Sequence, residues 1–407
     1  KWGFLTPDGK IAVSARFDEL GALSEGMWPV RVGKKWGFVR EERGFSTIAP
    51  RFDEVAFFNE GLCFARSGAK WGAIGKNGVW QIAPRFTFER FLIPPSHFRE
   101  GLAAVSVSQS QVNRENLRGE WGFVNRRGEW ILRPQFLSAE PFYEGMAQVA
   151  RANADFEVQE GWMRRENAAK YTFVAAPKID GIAFFEPFLE GLAAVETTVN
   201  KRRLTGFVDR DGKWAIPPKF PALLGYAPDD LAVGFRGGLA LVAVGNTREN
   251  IGFGWIDKRG NWKIEPKFKG AGVAFSEGLS PVANLENGRL IGGFVDPNGE
   301  WKIEPQFEKM GYFSGGLAPV KRFGNAWEFI NARGETVIPA RFNYVAMSDK
   351  NTPPDMFALQ FRDGLAWVRE GEIEGYIDAS GNWVWSARSA AAKRVSPKPR
   401  TSANGAP

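Results

Sequence analysis

Three short motifs recur along the chain in one fixed order, and this recurrence limits the fold more than any other feature. The first is an aromatic-Gly-aromatic stretch, as in Trp2-Gly3-Phe4, Trp36-Gly37-Phe38 and Trp121-Gly122-Phe123. Trp71-Gly72-Ala73 is a variant, and looser copies run from Tyr171-Thr172-Phe173 to Glu374-Gly375-Tyr376, giving ten in all. The second is a turn and an apolar stretch ending in Pro-x-Phe, as in Asp209 to Phe220, with parallel endings at Phe52, Phe86, Phe136, Phe268 and Phe307. The third is Phe-x-Glu-Gly-Leu-Ala-x-Val or close to it, clearest at Phe98–Val105, Phe142–Val149, Phe188–Val195, Phe275–Val282 and Phe313–Val320. Degenerate copies bring the third motif to nine. First motifs follow one another at intervals of 34 to 50 residues, so the shortest interval is the bare unit and the longer ones carry insertions. Such a period marks a repeat architecture rather than several unrelated domains.

The residue types explain the unit. Gly212, after Asp209-Arg210-Asp211, stands where a three-residue hairpin loop needs positive φ, and Asp or Asn before it steadies the turn. This register pairs Val208 with Trp214 and sets Gly206 opposite Ile216. It puts Trp121, Phe123 and Ile131 on one face, and Val124, Trp130 and Leu132 on the other. A hairpin apolar on both faces must lie between neighbours. Proline in Pro-x-Phe is expected to end its strand, since it has no N–H for a ladder. The Gly-Leu-Ala-x-Val stretch reads as a third strand. The expectation is an all-β array of about ten antiparallel hairpins or three-stranded meanders, spanning 1–385. With ten first motifs but nine third motifs, the N-terminal hairpin lacks a third strand, and the chain's end does not supply it. An open curved solenoid is therefore favoured, with a β-propeller as the alternative.

On these residues the sequence resembles the WG (or KWG) repeat family of bacterial proteins. The resemblance rests on the Lys-Trp-Gly-Phe openings, the Asp-x-x-Gly turns, the Pro-x-Phe ends and the Glu-Gly-Leu-Ala-x-Val strands. It covers nearly all of 1–385 and is weakest over 151–181. It implies a β-repeat architecture and no single activity.

Composition narrows the function. The formal charge is +7, but Arg388, Lys393, Arg394, Lys398 and Arg400 contribute +5 of it with no acid among them, leaving about +2 on the body. Residues 386–407 therefore read as a basic, disordered tail, and no nucleic-acid partner is expected. No apolar run reaches the ~18 residues that a membrane-crossing helix needs. One cysteine, Cys63, and one histidine, His97, allow no internal disulfide and no Cys/His zinc cluster. Cys63 reads as a small core residue. His97 could be a base, but no nucleophile motif accompanies it. The Asp209-x-Asp211-Gly212 stretch echoes the start of a calcium loop without its later ligands, so it reads as a turn. No cofactor fingerprint is present.

Candidate site residues follow from repetition and insertion. Glu25, Glu60, Glu100, Glu144, Glu190 and Glu277 each precede a glycine, and a carboxylate repeated in this way suits turn amides better than catalysis. Trp80, Trp130, Trp214, Trp262, Trp301 and Trp383 each follow a turn glycine. In an exposed row they would form a ladder for a polymer chain, and otherwise they pack between repeats. The insertion after Val149 adds Phe156, Trp162, Arg164 and Arg165. Longer connections also fall between Phe86 and Gly101, Val105 and Trp121, Phe220 and Gly238, and Phe342 and Gly364. The expected function is a non-enzymatic scaffold that binds a protein or polysaccharide, at a bacterial envelope or after secretion; an accessory or immunity-type protein that docks on one partner is a separate reading the sequence does not distinguish from it. The alternative is a propeller-type glycan-acting enzyme using carboxylates from several repeats.

Overall fold

A computed structural model describes residues 1–6, 8–40, 45–87, 97–107, 120–153, 157–177, 184–222, 234–245, 250–343, 361 and 364–388. All regular structure among them is β, and no helix is long and apolar enough to cross a membrane. The first strands are β1 (Trp2–Leu5), β2 (Ile11–Phe17), β3 (Glu19–Leu20), β4 (Met27–Val32), β5 (Lys35–Arg40), β6 (Ser46–Phe52), β7 (Glu54–Val55), β8 (Leu62–Ser67), β9 (Lys70–Gly75) and β10 (Trp80–Phe86). β1 and β2 form a two-stranded sheet, and the antiparallel sheets β3-β4-β5-β6 and β7-β8-β9-β10 follow. Seven further sheets repeat this meander, with three strands described in the third, sixth and ninth and four in the others. The chain is thus a β-propeller of nine blades preceded by a hairpin.

The blade differs from the expected three-stranded unit. A short strand directly after Pro-x-Phe adds a fourth member, and the Gly-Leu-Ala-x-Val strand pairs with the aromatic-Gly strand that comes after it: Ala65 lies opposite Gly72, Val105 opposite Gly122 and Val195 opposite Gly206. One sequence period therefore supplies the last two strands of one blade and the first two of the next.

Proline does not end its strand. Val208 pairs with Trp214 as expected, but Phe207 pairs with Ile216 and Thr205 with Phe220. Gly206 alone faces Pro217, Pro218 and Lys219 across a bulge, where a residue without N–H costs no ladder bond. The same bulge pairs Phe123 with Leu132, placing Leu132 on the face of Phe123 rather than with Trp130. The glycine is required by this close approach. A Cβ on Gly37 would stand 2.3 Å from the Ile48 carbonyl oxygen and 2.7 Å from the Pro50 nitrogen.

The register over 151–181 also becomes definite. Tyr171–Ala175 is a fourth strand, not an aromatic-Gly strand. The aromatic-Gly role falls to Gly161-Trp162-Met163 within Val158–Arg165, with Gly161 opposite Val149. Glycine precedes the tryptophan here, as it does in Gly254-Trp255-Ile256.

Blades stack through both faces. In six blades the turn glycine sits on an Ile of the preceding blade's fourth strand: Gly78 on Ile48, Gly128 on Ile82, Gly260 on Ile216, Gly299 on Ile264, Gly334 on Ile303 and Gly381 on Ile338; Gly212 sits on Val174 and Ala175. Gly9, in the β1–β2 turn, lies against the Val384 backbone carbonyl of the last strand, Trp383–Arg388. That contact brings the chain's start onto its last blade, so the array closes as a propeller rather than running on as the favoured open solenoid. The short first strand, hidden in the sequence behind Pro-x-Phe, widens the four-stranded sheets into blades that can form such a ring. The last strand runs to Arg388, three residues into the segment read as a tail. The remainder of that segment, 389–407, lies outside the described residues.

Candidate binding surface

The tryptophans after the turn glycines do not form a free ladder. Trp80, Trp130, Trp262 and Trp301 meet Phe52, Phe86, Phe220 and Phe268 of the preceding blade edge-on, at centroid distances of 5.5 to 6.0 Å. Trp214 packs on the cluster of Met146, Trp162, Val174 and Val208, and Trp383 on that of Phe329 and Ile338. Each stays half-buried, so one edge reaches solvent while the ring spaces the blades. Trp162 is buried at 1% exposure against Phe185 and Phe188. It is a core residue closed off from solvent, in the cluster that Trp214 packs against. Phe156 lies outside the described residues.

The repeated glutamates build one rim of the ring. Glu25, Glu60, Glu100, Glu144, Glu190 and Glu277 have φ between 47° and 53°, and the following glycine is also at positive φ. Two such residues make the tight turn that joins the first two strands of a blade, closed by bridges such as Asn59 to Leu62. An L-residue there is strained, and the side chain offsets the strain by reaching the next blade. The Gly61 amide donates to Glu25 at 2.9 Å, Gly101 to Glu60 at 2.9 Å, and Gly145 to Glu100 at 3.0 Å. Glu190 and Gly191 donate to Glu144, Gly237 and Gly238 to Glu190, and Gly316 to Glu277. The carboxylates do bind turn amides, but those of the following repeat. Burial works to raise the Glu190 carboxyl, yet the Gly238 amide, the Lys258 ammonium and the Gly237 amide together hold it below the usual carboxylate range.

Arg164 and Arg165 belong to the same rim. Arg164 binds Glu166 at 2.8 Å and Asp211 of the next blade at 2.6 Å, and Arg165 donates to the Glu100 carbonyl of the preceding blade at 3.0 Å. They stitch three blades together and do not join any tryptophan in a common site. The Asp209 carboxylate accepts the amides of Asp211 and Lys213, as a turn requires. Cys63 is buried, and burial pushes its thiol well up. His97 lies 4.9 Å from the Phe57 ring, and burial, then Arg99, lower its pKa. Among the described residues no group of three acidic, Cys or His side chains could hold a metal ion.

The opposite rim holds the turns between second and third strands and the links between blades. The long connections over 88–96, 108–119, 223–233 and 344–360 all depart from residues at this rim, namely Thr87, Val107, Ala222 and Asn343. Three hairpins here run beyond the common length, Met146–Ala152 with Val158–Arg165, Ala193–Val199 with Arg202–Val208, and Ser280–Glu286 with Arg289–Val295. Their tips expose apolar side chains: Leu285 and Leu290 stand half open to solvent, and Phe323 of the next blade is exposed as well. Glu286, Asn287, Arg289, Ile291 and Phe323 line a shallow, open pocket of about 400 Å³ between these two blades. None of these residues was singled out in the sequence. The signal was there, in apolar residues that continue past the Val of the third motif on both sides of Asn287-Gly288.

A family model described as the WG containing repeat matches residues 2–36, 46–71, 121–151, 206–247, 253–284 and 293–327. Each of these stretches crosses from one blade into the next. No curated protein matches the sequence. Among solved structures, one titled as the crystal structure of the eukaryotic initiation factor is similar to the chain at 11% identity, covering 90% of this chain and 96% of that one, with a TM-score of 0.50. That likeness concerns the fold alone. A prolyl endopeptidase (11% identity, 76% of this chain and 56% of that one, TM-score 0.37) is more distant. So is the β-propeller domain of the Trilobed protease from Pyrococcus furiosus (11%, 83% and 100%, TM-score 0.31). With the motif order, the bulge glycines and the Glu-Gly turns all in place, the chain belongs to the WG repeat family.

Proposed function

We propose that the chain is a non-enzymatic binding scaffold that takes a protein partner on the rim opposite the glutamate turns, in the setting of a bacterial envelope. One observation carries this reading. The glutamate rim is consumed by blade-to-blade bonds, whereas projecting hairpins with exposed apolar tips lie at the other rim. Function in repeat proteins concentrates where the repeats differ. Ile291 and Phe323 with Glu286 and Arg289 around them, on a hairpin that also exposes Leu285 and Leu290, offer the apolar and charged groups of a protein-binding patch. A polysaccharide ladder has less support, because the strand tryptophans are set edge-on against phenylalanines. Residues 389–407, past the last strand, are read from their composition as a basic tail.

The test is a triple variant, Leu285→Ser, Leu290→Ser and Phe323→Ser, compared with Leu23→Ser at the glutamate rim. Partners are identified by cross-linking in the native source. The triple variant should keep its melting temperature and lose the partner, while the rim control keeps both. Equal capture by both variants sinks the proposal.

A further inference from the structure

One arrangement of charge recurs at the rim of the projecting hairpins. In the first blade Arg31 donates to Glu19 at 2.8 Å and lies over the Trp36 ring at 5.8 Å. In the eighth, Arg322 donates to Glu328 at 2.6 Å and lies over the Phe307 ring at 4.9 Å. In the ninth, Arg369 donates to Glu374 at 3.1 Å and lies over the Trp367 ring at 6.0 Å. Each time a guanidinium is held between a carboxylate and an aromatic ring, which suits a planar cation with a fork of donors. The pocket between the seventh and eighth blades presents the same carboxylate and ring, as Glu286 and Phe323, and no arginine of the chain joins them. Among the described residues the Glu286 carboxylate has no ion pair or hydrogen bond, and the Phe323 ring has no aromatic or cationic neighbour. Arg289 stands directly opposite Glu286 in the strand register, where opposite charges attract. The two side chains nonetheless form no ion pair, and Arg289 has no other carboxylate partner among the described residues. Both line the pocket, with Asn287 and Ile291 completing it. Residues 269–343, which build the two blades, are all described.

We propose that this pocket takes an arginine side chain of the protein partner, with an acidic residue close to that arginine in the partner chain. The inference rests on the reading that this rim binds a protein, and it names the chemistry by which that partner is recognised. The guanidinium pairs with Glu286 and lies on the Phe323 ring, as Arg322 does with Glu328 and Phe307. Its aliphatic stem runs along Ile291. The neighbouring acid pairs with Arg289, which otherwise repels an incoming cation. Lysine is the poorer fit, because a point charge cannot meet a carboxylate as a fork and lay a flat face on a ring. The occupant's chemistry is read from the chain itself, which fills three equivalent settings with arginine.

The probe is the acetylated and amidated peptide Ala-Ala-Arg-Ala-Glu-Ala, compared with the same peptide carrying citrulline, the uncharged isostere, in place of arginine. Both are titrated onto the full chain and followed by ligand-observed NMR. The arginine peptide should bind saturably with a Kd on the order of a millimolar, the scale of a few charge-assisted contacts in an open pocket. The citrulline peptide should bind at least about fivefold more weakly. Glu286→Gln, at an exposed position, should weaken the arginine peptide by a similar factor and keep the melting temperature. Absence of saturable binding, equal binding of the two peptides, or undiminished binding by Glu286→Gln overturns the inference. Cross-linked partner capture separates this inference from the broader one. Loss of the partner by both Glu286→Gln and the triple serine variant is expected. Loss by the triple variant alone overturns the arginine reading and leaves the rim reading standing, whereas retention by the triple variant overturns both.

Discussion

Replacing a bulge glycine with alanine should be among the most damaging single-methyl changes this chain can suffer. At Gly37, Gly72 and Gly254 the new Cβ would stand 2.3 to 2.5 Å from a carbonyl oxygen of the fourth strand and within 2.8 Å of a proline nitrogen. Both are backbone atoms, so no rotamer change relieves the clash. The fourth strand must move by roughly an ångström and lose its seat against the next blade's turn. Overpacking of this kind costs about 3 kcal/mol. Gly26 and Gly68 provide the control, since both have positive φ and a methyl group added there would meet no atom within 4 Å. Alanine at these two positions faces only the left-handed backbone penalty, about 1 kcal/mol. One repeat supports the logic from within. Glu328 occupies the bulge position, and the residue two after the facing Ile338 is Ala340 instead of proline. Guanidinium unfolding followed by tryptophan fluorescence measures the contrast. Equal midpoints for Gly72→Ala and Gly68→Ala would refute the close-approach argument.

Other perturbations follow from the same geometry. Glu190→Gln should destabilise by about 1 kcal/mol near neutral pH, the loss of charged bonds at a partly exposed site. Because the folded Glu190 carboxyl is held low, its contribution is complete above the ordinary carboxylate value of about 4.3. It fades as pH falls through the lower folded value, so wild type and variant should converge in acid, as measured by unfolding midpoints across pH. Trp130→Ala should cost about 2 kcal/mol, less than a fully buried tryptophan because one edge is open. A value near zero by chemical denaturation would show that the edge contact with Phe86 does not hold the blades. The Cys63 thiol, buried and pushed up, should resist thiol reagents in the native state and react at the rate of unfolding, a point settled by reagent kinetics with and without denaturant.

The motif order made the all-β repeat legible, because Gly and Asp in turns and alternating aromatics in strands act locally. The Val208–Trp214 pairing was readable for the same reason. The bulge was not, because it depends on how Pro218 meets Gly206 across the sheet, and alternation alone put Leu132 on the wrong face. The strand at Glu54–Val55 escaped notice because two residues carry no period. Over 158–165 the Gly-Trp order concealed a normal aromatic-Gly strand, while Tyr171-Thr172-Phe173 imitated one. The recurrent glutamates were recognised as turn residues, but nothing in one repeat tells that its carboxylate is addressed to the next. Arg164 and Arg165 looked like ligand contacts for a related reason, since charges that bridge blades read as unpaired in a linear sequence.

The offset between sequence period and blade bears on how the molecule comes apart. Each period is laid across a joint, like bricks in staggered courses, so no blade is the product of one stretch of chain acting alone. In stacked solenoids a terminal unit can fray while its neighbours hold. Here, melting one period strips two strands from each of two adjoining blades and removes a carboxylate clasp as well. The ring is expected to lose its structure in large cooperative steps, and a protease that cuts one link should loosen two sectors at once.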